Sequence, residues 1–151
     1  MVWVQERINK DLNNIYPQSI DILGNIDTIP YDKALRITAY LWEGCFQSTN
    51  DLWIYLCSGL LYRIPEKWIL ENIENILSVI EINWEDDFEY YNLFPVFYHI
   101  PEIADKVFEY ALKKIPESAV KDEWAVDIRE SIGNREYYKI FSDGFNRIYE
   151  E

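Results

Sequence analysis

Between Trp84 and Tyr98 the chain reads Trp84-Glu85-Asp86-Asp87-Phe88-Glu89-Tyr90-Tyr91-Asn92-Leu93-Phe94-Pro95-Val96-Phe97-Tyr98, with seven aromatic residues in fifteen. Carboxylates can accept bidentate hydrogen bonds from Arg or single ones from Lys. Tyr and Trp add large contact area with little rotamer entropy to lose. Phe88, Phe94 and Phe97 read as core. Trp84, Glu85, Asp86, Asp87, Glu89, Tyr90 and Tyr91 are the candidate partner-binding residues, suited to gripping a basic protein. Paired carboxylates such as Asp86 with Asp87, or Glu85 with Glu89, can in principle exchange protons or hold a divalent ion. In a chain with 27 acids, close pairs of this kind arise by chance.

Other catalytic chemistry has little to work with. The one histidine, His99, has Glu102 three residues on, and any Ser or Cys nucleophile would have to share it. Cys57-Ser58-Gly59 does not form a Gly-x-Ser-x-Gly elbow. The five glycines, Gly24, Gly44, Gly59, Gly133 and Gly144, are isolated, so no phosphate-cradling loop is formed. Cys45 and Cys57 stand twelve positions apart in apolar surroundings and read as buried free thiols. With a single histidine they do not complete a common zinc set. The expectation is a non-enzymatic chain with no cofactor and no metal.

Charge narrows the choice of partner. The 151 residues carry 14 Lys and Arg against 27 Asp and Glu, a net charge of −13. A surface this negative repels nucleic-acid backbones and anionic lipid, so neither is an expected partner. The acidity is local: residues 1–36 have a net charge of −1, residues 37–105 of −10 and residues 106–151 of −2. From Lys67 to Lys106 no basic residue intervenes. At 49% hydrophobic and 17% aromatic, the chain can bury a core and fits one domain, 1–151. Its start lacks the basic and then apolar pattern of a signal peptide, and no apolar run reaches the roughly 20 residues of a membrane-spanning helix. A cytoplasmic location is expected.

The elements that must position these residues read as helices. Apolar residues recur at helical spacing, as in Val4, Ile8, Leu12, Ile15 and in Leu35, Ile37, Thr38, Leu41, Trp42. Pro30, Pro65, Pro101 and Pro116 stand at helix starts, and Glu follows three of them, which suits the positive helix N-terminus. Pro30, Pro65 and Pro101 lie 35 and then 36 residues apart. A shift of 36 lays Leu60-Leu61-Tyr62-Arg63-Ile64-Pro65-Glu66 over Val96-Phe97-Tyr98-His99-Ile100-Pro101-Glu102. The same step aligns capping-type starts at Asn50, Asp86 and Asp122.

The predicted architecture is all-α, a short stack of HEAT-like or TPR-like two-helix units with a period of about 36. The units fall at roughly 30–63, 65–99 and 101–132, with capping helices near 3–16 and 135–149. An irregular helical bundle is the alternative. Gly59 and Pro95 occupy equivalent places, where the second helices are expected to kink or end.

In size, acidity and the cluster from Glu85 to Tyr91, the chain resembles the small immunity proteins that bacteria make beside a secreted or contact-delivered toxin. Some nuclease-neutralising members use acidic residues beside a Tyr-Tyr pair followed by a proline, a pattern matched here by Asp86, Asp87, Glu89, Tyr90, Tyr91 and Pro95. In this sequence the proline stands farther from the tyrosines, and the chain is longer than those compact four-helix proteins. The resemblance implies one-to-one binding of a cognate toxin without turnover. Competing expectations are a helical-repeat adaptor that binds a peptide, a nucleic-acid mimic that inhibits a host defence protein, and an enzyme with a carboxylate site.

Overall fold

The computed structural model describes residues 2–47 and 50–80, together with Lys106, Glu109, Lys113 and Val126, which are helical. The chain divides into two units, Met1–Ile82 and Asn83–Glu151. The expected single domain over 1–151 reaches beyond the described residues, and every helix with described bounds lies in the first unit.

Every regular element among the described residues is helical, so the all-α expectation holds there. Helix α1 spans Val2–Ile15 and buries Val4, Ile8 and Leu12, one residue per turn on a single stripe. It stops before Pro17, whose ring disfavours helical geometry at Tyr16. The turn that follows is held by side chains. Gln18 adopts φ 64°, a left-handed conformation that costs a non-glycine residue roughly 1–2 kcal/mol. Its backbone N–H donates to Asn13 Oδ1 at 2.8 Å, and the buried Ser19 hydroxyl faces Leu12 O at 2.6 Å and Tyr16 O at 2.5 Å. Two short 3-10 turns follow over Leu23–Thr28, joined across a kink at Asn25 (φ −130°, ψ 44°), and they bury Leu23 and Ile26.

Helix α2, Tyr31–Gln47, is the central element and packs against α1, the 3-10 turns and both helices that follow. It begins directly after Pro30, whose carbonyl accepts from Lys33 and Ala34 N–H, each at 3.0 Å. Its inward side carries Ala34, Ile37, Thr38, Leu41, Trp42 and Cys45. The Thr38 hydroxyl returns to Ala34 O at 3.0 Å, so this buried polar group needs no partner from another helix.

Helix α3, Asp51–Leu61, starts where the sequence predicts. The Asn50 side chain accepts from Leu52 N–H at 3.0 Å and from Trp53 N–H at 3.2 Å. Replacing Asn50 with alanine removes this cap and is expected to cost about 1 kcal/mol, read as a lower denaturant midpoint at unchanged slope. The helix runs through Gly59 and ends two residues later, at Leu61. An exposed interior glycine costs a helix only about 1 kcal/mol and does not by itself break it.

Helix α4, Glu66–Val79, again follows a proline, with Pro65 O accepting from Trp68 and Ile69 N–H. It buries Trp68, Ile69, Ile73, Ile76 and Leu77. Predicted helix starts near 30, 50 and 65 thus match observed ones at 31, 51 and 66. The second half of the next predicted unit, all but four residues of the third and the position of Pro95 lie outside the described residues.

Among the described residues, no helix is long and apolar enough to cross a membrane.

Candidate functional site

The sequence-predicted contact residues Trp84, Glu85, Asp86, Asp87, Glu89, Tyr90 and Tyr91 lie outside the described residues, as do His99 and Glu102. The structure describes the approach to them. Helix α4 buries five apolar residues and leaves Glu66, Glu71 and Glu74 exposed, together with Leu70 and Val79. Lys67 Nζ stands 3.7 Å from Glu71, an exposed pair one helical turn apart that is worth a few tenths of a kcal/mol. After Val79 the backbone leaves the helix, and Ile80 is buried in an extended conformation four residues before Trp84.

The residues with other chemical potential are used internally. Cys45 and Cys57 are both free and buried, as their apolar surroundings predict. Burial pushes the Cys45 thiol up to about 12, against a weaker opposing effect of the Ser58 hydroxyl 3.4 Å away. Burial also raises Cys57, and the neighbouring Cys45 raises it further. Neither is a ready thiolate nucleophile at neutral pH. The Ser58 hydroxyl donates to Ile54 O at 2.7 Å, within its own helix. Among the described residues, no group of three or more His, Cys, Asp or Glu is placed to hold a metal ion.

Two polar clusters were not visible in the sequence. Asp11 Oδ2 accepts from Arg7 Nε and from the Tyr40 hydroxyl, both at 2.9 Å, so one carboxylate ties α1 to α2. Partial burial raises the Tyr40 phenol above its ordinary range, and the bond to Asp11 adds to the effect. Tyr31 at the start of α2 donates to Asn72 Oδ1 at 2.8 Å and accepts from Asn75 Nδ2 at 2.7 Å, which fastens α2 to α4. The four-residue spacing of Arg7 and Asp11 was a readable signal. Partners 29 and 41 to 44 positions away carry none.

Comparison of the chain with protein-family models, with curated proteins and with solved structures finds no match.

Proposed function

We propose that this chain is a non-enzymatic acidic binding protein that neutralises a basic partner protein, acting in the cytoplasm as an immunity protein against a cognate bacterial toxin. A nuclease is a suitable toxin class, because a surface that binds nucleic acid is basic. One observation carries the reading. Residues 81–105 contain seven acids and no base, and their centre interleaves carboxylates with Trp84, Tyr90 and Tyr91. Unbalanced like charge costs stability, and a basic partner offsets that cost. Charge would speed association, while aromatic side chains buried on binding would slow release. The exposed acids of α4 continue the same sign of charge up to this segment.

The fold proposed to carry it is the short helical-repeat stack. Support comes from α2, which packs against its pair mate α3 and against α4, the first helix of the next unit, while α1 packs on α2 and α3 as a cap would. This packing also favours a second reading, an adaptor that binds a peptide along the stack. Co-purification with the product of the adjacent open reading frame separates the two. The immunity reading predicts a one-to-one complex with a single basic protein, weakened by salt because exposed charge pairs are screened within about 8 Å at physiological ionic strength. A salt-insensitive peptide complex would instead establish the adaptor.

A further inference from the structure

A cleft of about 130 Å³ opens between α1, the turn after it and α3. Its apolar wall is made by Ile8, Ile20, Leu56 and Leu60. At its margin stand Gln5, Asn9 and Arg63, whose side chains have no hydrogen-bond or ion-pair partner among the described residues. The Arg63 backbone N–H is already used by Leu60 O, which holds the residue at the end of α3 while its side chain remains exposed. The wall is held where the turn carrying Ile20 is pinned by the Asn13 and Ser19 hydrogen bonds.

We propose that this cleft binds a small monocarboxylate with an apolar body of about six heavy atoms, the body seated on the aliphatic wall and the carboxylate paired with Arg63. The volume suits a body of that size, an enclosed engineered cavity of about 150 Å³ being large enough for benzene. The margin sets the head group. A guanidinium offers two parallel N–H donors that match a carboxylate, and the Gln5 and Asn9 carboxamides add further donors. A cation is opposed by Arg63. A doubly charged phosphate would meet a single lining base, Arg63, in a chain of net charge −13. The site combines an apolar surface with a few convergent polar groups, as ligand pockets do. It is independent of the proposed toxin partner and can be tested on the chain alone.

Two sources supply this chemistry, a free acid and the C-terminus of a peptide ending in leucine or phenylalanine. The full-length protein, labelled with ¹⁵N, is titrated with 4-methylpentanoate, benzoate and an acetylated dipeptide ending in leucine, each beside its neutral amide. Dissociation constants on the order of a millimolar or below are expected for the carboxylates, with shifts at Ile8, Asn9, Ile20 and Leu60. The amides should bind at least tenfold more weakly. Arg63→Gln, a change at an exposed position, should abolish that preference. Whichever carboxylate binds tighter identifies the source. Equal binding of acid and amide, or an undiminished preference in Arg63→Gln, would overturn the assignment.

Discussion

Replacing Gly44 with alanine is expected to destabilise the protein by about 1–3 kcal/mol, whereas the same replacement at Gly59 should stabilise it by about 0.5–1 kcal/mol. Both glycines lie inside helices, so alanine brings each helix a similar gain in intrinsic propensity. Their surroundings decide the sign. A Cβ on Gly44 would lie 2.5 Å from Cys57 Sγ and 2.8 Å from Trp53 Nε1, well inside van der Waals contact. At Gly59 nothing comes within 4 Å. Helices α2 and α3 approach closely only because the first has no side chain at this point, and a close-packed interior transmits the displacement to its neighbours. Valine at position 44 should cost more than alanine. Urea unfolding with the slope held in view measures all three variants. A stabilised Gly44→Ala variant would contradict the close approach of α2 and α3.

A second large effect is expected at alkaline pH. The ordinary thiol value is 9.0, and the fold pushes Cys45 up to about 12 and moves Cys57 upward as well, in both cases mainly through burial. Between the unfolded and folded values the native state retains protons that the unfolded chain releases, so stability is fully present below pH about 9 and declines as pH rises beyond it. A thiol that keeps its proton only in the folded state lowers stability by on the order of 1 kcal/mol per pH unit in that window. From pH 9 to 11 the decline should therefore be on the order of a few kcal/mol, against a total that is typically about 5–15 kcal/mol for a domain. Tyr40, also raised, adds to the decline above its ordinary value of 10.0. Denaturant titrations under reducing conditions at pH 8, 9, 10 and 11 read the slope. The Cys45→Ala/Cys57→Ala variant should lose most of it, and an equal slope in that variant would show that the thiols are not its source.

These two effects mark the boundary of what the sequence discloses. Helix starts were legible because their causes are local. A proline at residues 30 and 65 and an asparagine at residue 50 each act within four residues of themselves. The buried stripe of Val4, Ile8 and Leu12 follows from helical periodicity, and burial of the two cysteines follows from their apolar surroundings. The close packing around Gly44 was not legible, because the groups it must avoid come from a different helix. The turn after α1 was also hidden. Gln18 does not advertise a left-handed conformation, and the hydrogen bonds that hold it come from Asn13, Leu12, Tyr16 and Ser19 acting together.

The cleft needs Asn9 and Arg63, 54 positions apart, and no local pattern joins them. The proposed contact segment is the reverse case. Its case is made by residue types and charge, which are properties of sequence, and the described helices contribute the acidic face of α4 that precedes it.

The central claim is that residues 84–91 grip a basic partner. Its most direct test is the affinity of the purified complex after Glu85, Asp86 and Glu89 are all reversed to lysine, with circular dichroism showing unchanged helicity. Close charge pairs at protein interfaces couple by about 1.5–7 kcal/mol, so at least a hundredfold weaker binding is expected at physiological salt. A smaller salt dependence is also expected for the variant than for the parent. Unchanged affinity of the triple reversal would contradict the claim.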